Sequence, residues 1–424
     1  MRVADFVAKF ILEELGVKHV FTLTGAGIMH LTDGLACNKK LKTICPHHEQ
    51  TASMALEAYS RATENFGVGI FTTGPGSTNT ITGLAGAWQD SVPCLFISGQ
   101  VKLAEASSQS GIKKLRQFGV QELDIIPIVE SITKYAVTIT QPEKIRYELE
   151  KAVHIAKSGR PGPVWIEIPM DIQSAIIDDD LEKFETEQKE KPKIDKNQIE
   201  LIVELLQKSK RPIIISGQGV RISGAIELLS KLVKLFKIPV VTPYLGIDTI
   251  RHDEESYIGK TGVKGERAAN LAMQNSDLIL SIGSSLHVSV IGYNYQQFAR
   301  EAKIIQIDID KLELEKTQDL ADLSIESDAG IFIDKLLEAY QDSELEFLKL
   351  GFTRLELKRS MHEFMPFNRL KVKIKNEIVT FVGSQLDFKN NMGKHVFSNE
   401  WNTLINEKET IVIDVRNNFE VEVG

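Results

Sequence analysis

The chain has 424 residues, 42% of them apolar and 25% charged, with 58 acids against 50 bases and a formal charge of −8. That length predicts two or three domains with substantial cores, and the acidic balance argues against a nucleic-acid binder. Three cysteines, Cys37, Cys45 and Cys94, at no metal-ligand spacing fit a reducing cytoplasm, and no apolar run approaches the roughly 18 residues of a membrane span.

Val3, Phe6, Val7, Phe10 and Ile11 share one face of a predicted helix over 3–15, which is not the layout of a signal peptide. Then follow a strand at "HVFTLTG", a helix from 28, a strand near "KTICP", a helix over 49–62 and a strand at "GVGIFTTG". A helix around 77–88, a strand at "PCLFISG" and a last strand at "GPVWIEIP" complete the series. This alternation predicts a doubly wound parallel sheet. Residues 178–197, "DDDLEKFETEQKEKPKIDKN" from 178 on, are charged and read as an exposed linker.

A second α/β series begins with a helix over 198–207 and a strand at "RPIIISGQGV". It continues with a helix over 224–236, "IPVVTPY", a helix over 266–274, "DLILSIGSSL" and "AKIIQIDID", predicting a second parallel sheet of four strands. From about 340 the texture changes. "LKVKIKNEIVTF" has the two-residue period of a half-exposed strand, and "TIVIDV" reads as an apolar strand near residue 412.

Three glycine turns fall at the carboxyl ends of predicted parallel strands: Gly25-Ala26-Gly27, Gly74-Pro75-Gly76 and "SGQ" at 98–100. Open α/β sheets bind ligands at those ends. Ser77, Thr78 or Asn79 is placed to cap the helix after the second turn. Glu49, at the start of a helix, either favours the positive end of the helix dipole or does chemistry at the same sheet edge. His47 and His48 read as satisfied structural histidines, and no metal site is expected among these residues.

The run from "HHEQTASMALEAYSRA" through "TTGPGSTNTITG" to "LFISGQV", with "GRPGPVWIEIPMDIQ", "RPIIISGQGVR", "GERAANLAMQNSDLILSIGSSL" and "AKIIQIDIDKLELEK", resembles the thiamine-diphosphate enzymes of the acetolactate synthase large-subunit group. The resemblance spans about 1–330 in the family's own order. It implies a flavodoxin-like pyrimidine-binding domain over 1–177, the linker, and a Rossmann-like central domain over 198–335. It implies that Glu49 hydrogen-bonds N1′ of the aminopyrimidine, favouring the 4′-imino tautomer that removes the thiazolium C2 proton. A carboxylate sharing that proton should be buried, with a raised pKa. Gly25, Ala26, Gly27, Thr73, Gly74 and Pro75 are implied to line the pyrimidine pocket with Asn79 nearby, and Gln121, in "FGVQELD", to lie close to the reacting centre. The implied activity is decarboxylation of a 2-oxo acid and transfer of the two-carbon fragment to an acceptor.

Two departures stand out. The stretch "GSSLHVSVIGYN" lacks the Arg-Asp-rich character of family members that bind FAD, which argues against FAD and for a central domain that acts as a spacer. No Gly-Asp-Gly occurs anywhere in the chain, so the family's third domain, which holds the diphosphate through Mg2+, is expected to be missing. A homodimer or a separate partner chain would then have to supply that half. Residues 345–424, through "FMPFNRLKVKIKNEIVTF" and "GKHVFSNEWNTLINEKETIVIDVRNNFEVEVG", resemble part of the rhodanese-like tRNA uridine hydroxylase family and stop before its catalytic cysteine loop. The tail is therefore expected to be an incomplete α+β piece, weakly held beyond about 385. A fused or truncated, catalytically silent fragment is the alternative to an enzyme.

Overall fold

In the computed structural model, residues 1–178, 180–185 and 194–341 are described. Helix α1 (Val3–Glu13) buries Val3, Val7, Phe10 and Ile11, the face that the spacing predicts. The chain continues through β1 (His19–Thr22), α2 (Met29–Cys37), β2 (Lys42–Ile44), α3 (Glu49–Thr63), β3 (Gly67–Phe71), α4 (Pro75–Thr78) and α5 (Ile81–Gln89). Next come β4 (Cys94–Gln100), α6 (Ile126–Val129), β5 (Tyr135–Thr138), α7 (Ile145–Lys157), β6 (Val164–Pro169) and α8 (Met170–Ser174). The six strands form one parallel sheet in the order β2-β1-β3-β4-β6-β5.

Every residue of β3, β4 and β6 is buried, because helices cover both faces of the middle of the sheet. On one face Phe71, Phe96 and Trp165 stack with ring centroids 6.1 and 5.6 Å apart. The helix expected over 77–88 is two helices, interrupted at Asn79–Thr80, where the Asn79 side chain is committed to Glu49. The start of the expected linker does not stand free: Leu181 is buried, and Phe184 packs edge-on against Tyr147 of α7 at 5.5 Å. Apolar contact outweighs the charged texture there.

The second series runs α9 (Lys196–Lys208), β7 (Pro212–Ser216), α10 (Gln218–Ile222), α11 (Ile226–Phe236), β8 (Val240–Thr242), β9 (Tyr257–Lys260) and α12 (Arg267–Gln274). It ends with β10 (Leu278–Ile282), α13 (Val288–Ile291), β11 (Lys303–Asp308), α14 (Lys311–Lys316), β12 (Leu323–Glu326) and α15 (Ala329–Gln341). Helix α9 starts at Asp195, whose carboxylate accepts from Asn197 N at 3.0 Å. The sheet is parallel, in the order β12-β11-β10-β7-β8-β9, which is the doubly wound dinucleotide-fold order read from its other edge. It has six strands, not the four expected, because the short, half-covered β9 and β12 flank the apolar middle. Arg160 ties the first sheet's domain to the second by donating to Asp310 at 3.1 Å and Glu313 at 2.7 Å.

Among the described residues no helix is long and apolar enough to cross a membrane. The tail expected over 345–424, with its two predicted strands, lies outside the described residues.

Candidate functional site

In the first sheet β1 lies beside β3, yet the chain leaves β1 toward β2 on one side and β3 toward β4 on the other. Their carboxyl ends therefore form a topological switch point, where two connections diverge and leave a crevice. The Gly25–Gly27 turn and the Thr72–Pro75 turn meet there. Gly27 N donates to Thr72 Oγ1 at 3.1 Å, and Ser77 Oγ donates to the Thr72 carbonyl at 2.7 Å. A Cβ on Gly25 would come within 2.5 Å of the Thr72 side chain. Thr73 and Gly74 are buried, whereas Ala26 and Pro75 are exposed.

Gly74 has φ +59° and ψ −118°, a conformation that glycine alone adopts readily. A Cβ there would sit 2.1 Å from the Gln121 carbonyl oxygen. Gln121 is itself left-handed, with φ 57°, and exposed. The structure thus brings the main chain of Gln121 against the Gly74 turn.

Glu49 opens α3 behind His48, whose Nδ1 accepts from Gln50 N at 3.1 Å, so His48 is a helix cap. His47 is exposed. Glu49 Oε2 accepts from Asn79 Nδ2 at 3.0 Å. Its Oε1 has no hydrogen-bond partner among the described residues and lies 3.6 Å from where a Cβ on Gly76 would be. Glu49 is half-buried, not buried as expected. Its place in the first turn of α3 sets both carboxylate oxygens toward the Gly76–Asn79 segment, Oε1 by Gly76 and Oε2 on Asn79, while the residue as a whole keeps partial exposure. None of Ser77, Thr78 and Asn79 caps a helix: their side chains go to Thr72 O, Pro75 O and Glu49.

Directly under this crevice runs a polar layer that the sequence motifs do not announce. Thr73 Oγ1 donates to Gln100 Oε1 at 2.7 Å, and Gln100 Nε2 donates to Glu167 Oε1 at 3.0 Å. Thr138 Oγ1 donates to Glu167 Oε2 at 2.8 Å. Gln100 Nε2 also donates to the Leu123 carbonyl at 2.9 Å, two residues beyond Gln121. Burial pushes the Glu167 carboxyl up to about 7, the hydrogen bonds from Thr138 and Gln100 oppose this, and the charges of Asp124 and Glu122 add to it. The signal in the sequence is a glutamate inside the apolar run "VWIEIP": a buried strand carboxylate needs partners. Glu122, also buried, accepts from Ser107 N at 3.0 Å, Ser107 Oγ at 2.6 Å and Phe118 N at 3.0 Å, and so pins the loop that carries Gln121. Among the described residues no group of three or more His, Cys, Asp or Glu is placed to hold a metal ion.

Residues 1–131 match the family model described as "Thiamine pyrophosphate enzyme, N-terminal TPP binding domain", and residues 199–336 match "Thiamine pyrophosphate enzyme, central domain". The chain carries two domains of the thiamine pyrophosphate enzyme family. The "Probable acetolactate synthase large subunit" of Methanocaldococcus jannaschii is 36% identical over 381 residues, covering 88% of this chain and 62% of that relative. The acetolactate synthase large subunit of Lactococcus lactis subsp. lactis is 34% identical over 331 residues, covering 77% of this chain and 55% of the relative. The glyoxylate carboligase of Escherichia coli O157:H7 is 32% identical over 346 residues, covering 81% and 56%. The chain therefore spans little more than half the length of these relatives. As a thiamine pyrophosphate enzyme N-terminal domain, the first sheet places Glu49 and the two glycine turns at its switch point.

Proposed function

We propose that this chain contributes the aminopyrimidine half of a thiamine-diphosphate site for acetolactate synthase-like chemistry: decarboxylation of a 2-oxo acid and transfer of the remaining fragment to a carbonyl acceptor. The observation that carries this reading is Glu49 at the switch point, with one carboxylate oxygen fixed by Asn79 and the other without a partner among the described residues. Thiamine diphosphate, when bound, supplies the carbon that adds to the oxo acid's carbonyl and takes up the electron pair left as carbon dioxide departs.

The residues fit the pyrimidine end of that cofactor. Glu49 Oε1 is free to accept a ring N–H and to exchange a proton at that nitrogen. Asn79 occupies Oε2, so the proton is handled at one oxygen in one side-chain orientation. Gly25, Gly27 and Gly74 let the Thr72–Thr73 segment and the Gln121 main chain close in on the two turns, where a Cβ would push them apart and change the edges of the crevice. Thr73 turns its hydroxyl down to Gln100, away from the crevice, and the main chain of Gln121 closes the far side of the Gly74 turn.

The anionic end finds no such fit. The 424 residues contain no Gly-Asp-Gly, and three negative phosphate charges need a divalent ion and its ligands. We assign the diphosphate and Mg2+ to residues other than 1–341, either a further segment or a partner chain such as an intact homologue, since a second copy of these 424 residues brings no Gly-Asp-Gly of its own. A relative matched over 88% of the chain necessarily aligns past residue 341, into the stretch assigned above to the hydroxylase-like tail.

The missing motif also favours a second reading, a fused or truncated chain that pairs with an intact homologue and is silent alone. The full chain, with thiamine diphosphate, Mg2+ and pyruvate or glyoxylate, is assayed for loss of the oxo acid, alone and mixed with an intact acetolactate synthase large subunit. Consumption that Glu49→Ala abolishes supports the first reading. Consumption that is the same with the wild-type chain, the variant or neither overturns it in favour of the second.

A further inference from the structure

Two separate pieces of chain shape the crevice beside Glu49, the Thr73–Gly74 turn after β3 and the loop that carries Gln121. They touch main chain to main chain, so close that glycine is required at 74. What sets their spacing lies below. The amide of Gln100 is fully used: its oxygen accepts from Thr73 Oγ1 at 2.7 Å and Val101 N at 2.9 Å, and its nitrogen donates to the Leu123 carbonyl at 2.9 Å and Glu167 Oε1 at 3.0 Å. The backbone donor Val101 N fixes which end of the amide is oxygen. Gln100 therefore ties both pieces to one point, and that point is oriented by Glu167.

We propose that Glu167, acting through Gln100, is a positioning residue that holds the Thr73–Gly74 turn and the Gln121 loop at the spacing the aminopyrimidine crevice requires. Its value to the cofactor rests on the function proposed above; its effect on the two segments does not. Glu167 is 4% exposed, at the middle of the fold, and touches neither the crevice nor any group in it. A carboxylate in such a place costs more than an amide or a leucine would, so a merely space-filling role does not explain it. The groups that face it are Gln100 from β4, Thr138 from β5, and the carboxylates of Asp124 and Glu122 from the Gln121 loop.

The ionised carboxylate accepts from both Gln100 and Thr138, and charge strengthens both bonds. Protonation near pH 7 weakens the tie and gives the acid a hydrogen that Thr138 must turn to accept. The local tie thus loosens as pH falls. Global stability moves the other way, because the fold favours the protonated acid. This opposition separates positioning from general support of the fold.

The test is amide hydrogen exchange, by mass spectrometry on the full chain between pH 6 and 8.5, corrected for intrinsic rates, in peptides that cover 72–76 and 119–125. In the wild-type chain protection of these segments falls on acidification through about pH 7. Glu167→Ala lowers it by roughly tenfold at pH 8, the worth of one hydrogen bond to a charged group. Glu167→Gln keeps an acceptor for Gln100 and a donor for Thr138, so it holds protection within about threefold of wild type at pH 8 and abolishes the pH dependence. The inference is overturned if Glu167→Gln retains the wild-type pH profile, or if Glu167→Ala leaves both segments as protected as before. Thiamine titrations of the wild-type chain and Glu49→Ala run alongside: a failure to bind overturns the proposed function and leaves the exchange result to decide this inference alone.

Discussion

Replacing Gly74 by alanine strikes the contact that keeps the Gln121 loop beside the Glu49 crevice. At φ +59° and ψ −118° an L residue is strained by about 1–3 kcal/mol. The new Cβ would lie 2.1 Å from the Gln121 carbonyl oxygen, where real Cβ atoms essentially never come nearer than 3.0 Å. Because the contacting atom is backbone, the loop itself must move, and overpacking of this kind costs roughly another 1–3 kcal/mol. At about 2–4 °C per kcal/mol for a domain of this size, the combined cost of about 2–6 kcal/mol should lower the melting transition by roughly 4–24 °C. Gly86→Ala is the control: it sits inside α5 with nothing within 4 Å of the added methyl, so it should raise stability by about 0.5–1 kcal/mol. Thermal melts followed by circular dichroism compare the two. A Gly74→Ala chain that melts with or above the wild type would refute both the turn geometry and the Gln121 contact.

Glu167→Gln should become more stabilising as pH rises. The native carboxyl titrates near 7 instead of 4.5, so between those values the folded chain binds a proton that the unfolded chain has released, and wild-type stability falls with rising pH across that window. The variant escapes this loss, up to about 3 kcal/mol at pH 8, and urea unfolding at pH 5 and pH 8 reads the difference; an equal effect at both values would contradict the assignment. Cys37 and Cys45 are exposed, whereas Cys94 is buried and its thiol is pushed up first by burial and then by the charge of Glu57. Iodoacetamide at pH 8 should add two adducts to the folded chain and a third only in denaturant, counted by mass spectrometry. Asn79→Ala should weaken thiamine binding by roughly tenfold, since Glu49 then loses the donor that fixes its orientation.

What was readable in the sequence is what repeats locally. Continuous apolar runs such as "LFIS" and "LILSI" announce the covered strands β4 and β10, and glycine turns mark where those strands end. The strands that went unread, β5, β9 and β12, lie at or beside sheet edges where half the side chains meet solvent, so they carry no apolar run at all. Leu181 and Phe184 were hidden by charged neighbours, although two large apolar side chains suffice to fasten a segment to α7. Glu49, Asn79 and the glycines could be named because the motif keeps them near one another. Thr72 as the bridge between turns, and the line from Thr73 through Gln100 to Glu167, could not, since the last pair lies 67 residues apart and only the order β3-β4-β6 makes them neighbours. The depth of Glu49 differs from the expected burial for a related reason: burial depends on what covers the residue, and the groups that hold Glu49, Gly76 and Asn79, lie on one side of it.

Residues 1–341 are proposed to recognise the pyrimidine of the cofactor and not its diphosphate. Isothermal titration of the full chain with thiamine and with thiamine diphosphate, each with and without Mg2+, tests it most directly. Similar affinities for the two ligands, no dependence on Mg2+, and loss of both in Glu49→Ala are expected. A preference for thiamine diphosphate of tenfold or more that requires Mg2+, or binding of either ligand that survives Glu49→Ala, would contradict it.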